Sequence, residues 1–326
     1  MTKDNKLGNQ TGSELRTISR HIVRQLGMLN SACGDLPLSP VQAHALIEVS
    51  RGAISIKKLA QILNIDKSNA SRALSHLVEK GFAHTKSNPR DSRSLLAHLT
   101  PQGRKLLQKL DHQQNIIFDE ILCQLSPFET QQIETAMTLY HKAIHHSRLQ
   151  QEYELREMTS EDNAPMAEVI RTVSAEYGLT SDKNDSVGNP NLDTLSEQYQ
   201  GSDACYWVIE KEGEIFGGAG IAPLVITGET NPESQERVCE LQQMYFSQAL
   251  RGKGFTKRLA YLALDFAREQ GFNSCYLETT AKLSEAVKLY ESMGFKHLDV
   301  HLGTHLDTHQ GDSGHHGSEM PMLLKL

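Results

Sequence analysis

Apolar residues recur along this chain with two different periods, and the two periods are unevenly shared between its halves. In the first 150 residues they come mainly three and four positions apart, the spacing that lays one face of a helix on a core. Helices are predicted over about 14–30, 40–50, 55–63, 66–80, 102–123 and 127–146, with a Gly/Pro turn at 34–37 after the first. Ser55 stands where it can cap the third helix, whose buried stripe is Ile56, Leu59, Ala60 and Leu63. Asp66 can cap the fourth, and Gly81 follows its end. Two short strands, 82–85 and 94–99, flank a polar loop at 86–93. Thr100-Pro101 and Ser126-Pro127 each put a capping residue before a proline at the first helical position.

After a polar stretch at 147–152 the pattern changes. A strand at 153–158 is followed by a helix from Asp162, a polar loop at 180–191 and a hairpin at 205–224 that turns at Lys211-Glu212-Gly213. A polar, acidic loop at 227–237 leads to a strand at 238–246, a helix at 256–270, a strand at 274–278 and a helix ending in Ala286-Val287-Lys288-Leu289-Tyr290-Glu291-Ser292-Met293-Gly294-Phe295. A strand is expected after Phe295 and a last apolar one at the end of the chain. No repeat is detectable. Two domains are expected, 1–150 and 151–326.

Charge separates the same two halves. The net charge of −7 hides 19 Lys+Arg against 12 Asp+Glu in residues 1–150, and 14 against 28 in the remainder. A basic half attracts polyanions, whereas an acidic one suits a cationic acceptor. No apolar run approaches the ~18 residues that span a bilayer, and no secretory signal follows Met1, so a cytoplasmic protein with no membrane partner is expected. The five cysteines, Cys33, Cys123, Cys205, Cys239 and Cys275, are widely spaced and odd in number, which suits reduced thiols. Cys239 and Cys275 read as buried strand residues. His297, His301, His305 and His309 recur every four residues, but Gly303 interrupts a helix there, so a solvated loop is expected and no metal site.

The helix at 66–80 has two faces. Ala70, Ala73, Leu74 and Leu77 lie on one, and Ser68, Ser71, Arg72 and Ser75 on another. Short polar side chains with one arginine let a helix enter a major groove closely. The loop that follows carries Lys86, Arg90 and Arg93. Leu59-Ala60, Leu63, Lys67-Ser68, Ser71-Arg72, Leu77 and Lys80-Gly81, then Asp91-Ser92-Arg93 and Leu99-Thr100-Pro101-Gln102-Gly103, resemble the MarR family of winged-helix regulators over about 12–147. The resemblance implies a mainly α winged helix-turn-helix, a homodimer built from the first and last helices, and double-stranded DNA as partner. It carries Lys67, Ser68, Asn69, Ser71 and Arg72 over as recognition-helix contacts, with Arg90 and Arg93 on the wing.

In the second half, Arg251-Gly252-Lys253-Gly254-Phe255-Thr256 joins a strand to a helix. Glycines let backbone approach a phosphate, and the amides that open a helix point at it. Lys253, Lys257 and Arg258 add positive charge in an acidic domain. Arg251-x-x-Gly254-x-Thr256, with the Ala286-x-x-Leu289-Tyr290 segment and Gly294-Phe295, resembles the GNAT acetyltransferases over about 153–326. An α/β fold on a mixed, mostly antiparallel sheet is implied, with acetyl-CoA as co-substrate. By that resemblance the backbone of Arg251, Gly252, Lys253, Gly254, Phe255 and Thr256 holds pyrophosphate, and the strand edge at Met244, Tyr245 and Phe246 pairs with the pantetheine arm. Tyr290 protonates the leaving thiolate. Glu240 is the candidate general base, and a backbone amide near Met244 would stabilise the oxyanion. Tyr290 also shares an apolar stripe with Ala286 and Met293, and Glu240 suits a solvent-facing strand position equally well. Thr256 stands where the family usually has Gly or Ala, and Leu283 where it often has Asn.

The expected function is therefore a DNA-binding regulator joined to an N-acetyltransferase that acts on a small amine or a protein amine. A regulator whose second half only senses acetyl-CoA is the alternative, and an enzyme whose winged helix supplies only the dimer is a third.

Overall fold

The computed structural model describes residues 3–178, 190–224, 236–281, 283–302 and 319–326. Nearly all of the loop at 180–191, most of the acidic loop at 227–237, His305, His309 and the segment 311–317 lie outside the described residues. The chain divides into two units, Met1–Thr135 and Ala136–Leu326.

The first unit contains α1 (Lys3–Gln25), α2 (Pro40–Ser50), β1 (Ile54–Ser55), α3 (Ile56–Leu63), α4 (Lys67–Glu79), β2 (Ala83–Asn88), β3 (Asp91–Leu99), α5 (Pro101–Leu122) and the start of α6 (Pro127–Leu149). The helix starts are set by the caps legible in the sequence. Ser55 accepts from the Lys58 amide at 3.2 Å, and Asp66 from the Asn69 amide at 2.8 Å. Leu38, Leu46, Leu59, Ala70, Leu74 and Leu77 form the core that locks α2, α3 and α4 together. Thr100 caps α5 at the Gly103 amide, 3.0 Å away, and its hydroxyl also donates to the Gly81 carbonyl at 2.7 Å. A Cβ on Gly103 would lie 2.0 Å from the Phe82 carbonyl oxygen. The Thr-Pro-Gln-Gly run is thus the seam between the strand pair and α5.

Two boundaries differ from those expected. Helix α1 begins at Lys3 and ends at Gln25, short of residue 30, with Gly27 in the left-handed region at φ 70°. The wing is a longer hairpin than its pattern suggested. β2 and β3 run through most of 86–93, leaving Pro89-Arg90 as the turn, so that Lys86 and Arg93 lie on strands. The side chains there are largely exposed, and no apolar alternation marks the pairing.

The second unit holds the rest of α6, β4 (Glu154–Glu157), α7 (Asn163–Glu176), a 3₁₀ segment (Pro190–Tyr199), β5 (Cys205–Lys211), β6 (Glu214–Pro223), β7 (Val238–Phe246), α8 (Phe255–Glu269), β8 (Ser274–Thr280), α9 (Ser284–Ser292), β9 (Lys296–His297) and β10 (Glu319–Lys325). The sheet order is β4-β5-β6-β7-β8-β10-β9, antiparallel throughout except for β7 beside β8. α8 and α9 pack on one face, over Trp207, Ile209, Leu241 and Leu277. α7 and the 3₁₀ segment pack on the other, over Tyr206, Val208 and Ala222. Helix α6 continues to Leu149, so half of the polar stretch at 147–152 is its last turn.

The parallel pairing of β7 with β8 covers only Val238–Glu240 against Ser274–Tyr276. Further along, β7 bulges at Gln243 (φ 48°), and the described residues pair no further across that seam. β7 stays paired with β6, its register shifting between Gly218 and Gly220, and β8 stays paired with β10, so the sheet opens between its two central strands.

Candidate active site and nucleic-acid interface

The bulge that opens the sheet is built from β6 and its neighbours. The Tyr206 hydroxyl donates to the Gln243 carbonyl at 2.9 Å and so satisfies the backbone group that the bulge turns out of the ladder. Tyr199 packs edge-on against Tyr206 and donates to Gln242 Oε1 at 3.0 Å. Both rings need the glycines of β6: a Cβ on Gly218 would meet Tyr206 at 2.6 Å, and one on Gly220 would meet Tyr199 at 2.4 Å. These tyrosines carried no signal of function in the sequence.

Met244, Tyr245 and Phe246 follow the bulge and are half-buried, with β6 on one side and the opening on the other. On either side of this strand edge, Gln243 Oε1 and Ser247 Oγ are buried with no hydrogen-bond partner among the described residues. Buried polar atoms rarely stay unmatched, so this edge fits a ligand with amide-like donors and acceptors. Tyr290, on α9, reaches the same place: it is 7% exposed, and its hydroxyl lies 3.4 Å from the Met244 sulfur. Burial pushes its phenol well above the ordinary value, so it keeps its proton. Sequence left Tyr290 divided between core packing and chemistry. The side chain does the first along its ring, edge-on to Phe295, and presents a hydroxyl at the opening for the second.

The loop between β7 and α8 brings its glycine backbone to the start of a helix. Gly254 has φ 78°, and a Cβ there would also sit 2.4 Å from His146 Nδ1. The Arg258 amide donates to the Gly254 carbonyl at 3.2 Å, so the amides of Phe255, Thr256 and Lys257 precede the first helical hydrogen bond. Among the described residues no side chain caps them. Phe255 buries its ring against Tyr153 and anchors the turn. Thr256 is half-buried in the first turn. Arg251 pairs with Glu176 and lies over the Tyr177 ring, whereas Lys253 donates to the Tyr153 hydroxyl and covers that ring at 4.5 Å. Gly252 is open, with nothing within 4 Å of a built Cβ. Sequence did not single out Gln150. It is 7% exposed, donates to the Lys253 carbonyl at 2.8 Å and accepts from Arg258 at 3.0 Å.

Glu240 is buried at 3% exposure, with Gln242 Nε2 donating to its Oε2 at 2.6 Å, so it is no solvent-facing carboxylate. On the same face of β8 stand Tyr276 and Glu278, joined by a hydrogen bond, and His301 Nδ1 lies 2.8 Å from Glu278 Oε1. His297 pairs with Glu291 on α9 at 2.9 Å, and residues 298–302 are not helical. Cys239 and Cys275 are fully buried opposite each other on β7 and β8, and the hydrogen bond with Cys239, with burial second, pushes the Cys275 thiol well up.

In the first unit the predicted DNA contacts share one surface helix and its hairpin. Lys67, Ser68, Asn69 and Arg72 are exposed and Ser71 is half-buried, while Ala70, Ala73, Leu74 and Leu77 face the core. Asp66 binds the Asn69 side chain and Asn69 binds Arg72, so the arginine is held in place by the capping residue. The hydrogen bond donated by the Asn69 backbone amide holds the Asp66 carboxyl below its usual range. Arg90 and Arg93 are exposed, their amides tied to Asn88 and Asp91 at 3.0 and 3.1 Å.

Comparison with known proteins divides the chain in the same way. Residues 175–295 match the acetyltransferase (GNAT) family, and residues 36–94 match the MarR family. An uncharacterized N-acetyltransferase of Escherichia coli (strain K12), YjgM, is 51% identical over 172 residues, which are 53% of this chain and 94% of that protein. The solved structure of a putative acetyltransferase from Salmonella typhimurium with its cofactor acetyl-CoA is 19% identical, covers 53% of this chain and 94% of its own, and superposes with a TM-score of 0.37. That of wild-type MarR from E. coli is 27% identical, covers 38% of this chain and 94% of its own, with a TM-score of 0.33. The chain belongs to the GNAT family of acetyltransferases and carries, ahead of that half, a MarR-family winged helix.

Proposed function

We propose that the chain is a DNA-binding transcription regulator whose second half transfers an acetyl group from acetyl-CoA to an amine, with functional halves at 1–150 and 151–326. The observation that carries the enzymatic part is the Tyr290 hydroxyl beside Met244, protonated and buried where the sheet opens. The co-substrate fits the residues present. Gln243 Oε1, Ser247 Oγ and the edge at Met244, Tyr245 and Phe246 would receive an amide-bearing arm, and the amides of Gly252, Gly254, Phe255 and Thr256 a pyrophosphate, whereas those of Arg251 and Lys253 are taken by the Gln248 and Leu250 carbonyls.

Acetyl-CoA supplies a thioester carbonyl open to attack. The chain orients it along β7, and Tyr290 gives a proton to the departing sulfur. The carboxylates on the α7 face, Glu240 among them, serve the acceptor amine, which must lose a proton to attack. The acidity of this half favours an acceptor that arrives as an ammonium ion.

Lys67, Ser68, Asn69, Ser71 and Arg72 would meet the major groove, with Arg90 and Arg93 on the adjoining backbone or minor groove. Exposed apolar residues on α1, α5 and α6 suit a homodimer. Among the described residues no helix is long and apolar enough to cross a membrane.

The test is calorimetric titration of the full chain with acetyl-CoA, followed by measurement of coenzyme A release over a panel of free amino acids, spermidine and lysine-containing peptides. Binding with release supports the enzyme. Binding without release on any amine supports an acetyl-CoA sensor, and no binding removes both readings.

A further inference from the structure

Two carboxylates occupy the α7 face of the central strands, and they stand in different places. Glu240 is opposite Tyr276 in the last pair that β7 makes with β8. It is almost fully buried, and its Oε2 is taken by the Gln242 amide, which Tyr199 in turn orients. Glu278 lies two residues beyond that pair, so it shares the face of Tyr276 but stands where β7 has bulged away. It therefore borders the opening, on the level of the bulge that precedes Met244.

The surroundings of Glu278 suit a group that takes a proton and passes it on. Tyr276 donates its hydroxyl to Oε1, and burial together with the Glu278 charge keeps that phenol protonated. His301 Nδ1 lies 2.8 Å from the same oxygen. The Glu278 side chain is 13% exposed and that of His301 46%, so the imidazole links a nearly buried carboxylate to water. On the neighbouring strand β10 the residue opposite Glu278 is Pro321, which brings no charge. Imidazole is the side chain best suited to hand a proton to solvent near neutral pH.

We propose that Glu278 removes the proton from the acceptor amine and that His301 carries it to solvent, Tyr276 holding the carboxylate in place. The inference rests on the acetyltransferase reading above. In the step, the amine nitrogen forms the new bond to the acetyl carbon and the carbon–sulfur bond breaks. The sulfur leaves with the electron pair and takes the Tyr290 proton. One ammonium proton passes to Glu278 and through His301 to water before attack, the second follows the same route as the amide forms, and Tyr290 is reprotonated from solvent. Glu240, fixed by Gln242, shapes the acceptor side and adds negative charge that draws in a cationic amine.

The experiment uses the full chain, acetyl-CoA and whichever amine of the panel above it acetylates. E278Q should lower kcat/KM on the order of 100-fold, at least ten times the loss in E240Q, with the acetyl-CoA Kd and circular dichroism of the wild type. E278A should recover part of its rate with added formate. H301A should be slower by about tenfold and should recover with added imidazole. Wild-type kcat/KM in E278Q, or the larger loss in E240Q, overturns the assignment of the base. A slow H301A that imidazole does not restore overturns the relay. A wild-type protein that acetylates nothing in the panel fails the acetyltransferase reading itself, a result distinct from either.

Discussion

Tyr290 is held by its ring while its hydroxyl meets Met244, which makes the proposed chemistry separable from the packing. Tyr290→Phe keeps the edge-on contact with Phe295 and removes only the group beside Met244. The expected outcome is a fall in kcat on the order of 100-fold, with the acetyl-CoA Kd unchanged by calorimetry. A kcat equal to wild type would return Tyr290 to the core alone. Gln150 makes the opposite case, a residue with no chemistry that sets the cofactor loop. It fastens the Lys253 carbonyl and the Arg258 guanidinium at once. Losing two hydrogen bonds worth ~1 kcal/mol each should raise the acetyl-CoA Kd of Gln150→Ala by about thirtyfold, with kcat little altered. An unchanged Kd would mean that the loop holds its own shape.

At the scale of elements, α4 and the β2–β3 hairpin are the parts whose role is easiest to test. Arg72→Ala and Arg93→Ala should each weaken binding to any duplex and make its salt dependence shallower by about one unit in the log–log slope. Arg72 is pre-positioned by Asp66 through Asn69, so Asn69→Ala should act in the same direction through loss of that orientation. Fluorescence anisotropy across a salt series reads all three, and slopes equal to wild type would remove these residues from the interface. The elements that sequence predicted well are those whose signal is local. Asp66 and Ser55 cap helices by reaching three residues ahead, and Gly254 is demanded by its own backbone. The parts it missed depend on partners far along the chain. Tyr206 reaches Gln243 across 37 positions, Gln150 reaches Lys253 across 103, and His301 meets Glu278 across 23. No periodicity encodes such contacts. The wing strands escaped for another reason: a hairpin solvated along most of its length has no apolar alternation to betray it.

The molecule as a whole leaves more apolar surface on its long helices than a lone chain should. Leu15, Ile18 and Ile22 on α1, Ile117, Phe118 and Ile121 on α5, and Met137, Leu139 and Ile144 on α6 are all exposed, while the cores of both units are fully supplied by other residues. Each of these helices shows water a row of side chains that would cost much less free energy against a matching row. A second copy of the chain offers that row by symmetry, and two-fold pairing would also present two α4 helices to one duplex. Replacing Ile18 and Leu139 together with glutamate puts charge into that surface without touching either core. At ~2 kcal/mol for each of the four apolar anchors that the two copies lose, the dimer Kd should rise about a millionfold. Sedimentation velocity should show the wild type as a dimer and the variant as a monomer. Because the proposed site draws on the sheet opening with Glu278 and His301, Tyr290 and the loop of a single chain, coenzyme A release should persist in the monomer while duplex binding falls. A monomeric wild type, or a variant that stays dimeric, would place the pairing surface elsewhere. Loss of acetyl transfer along with the dimer would mean that the site needs the second copy.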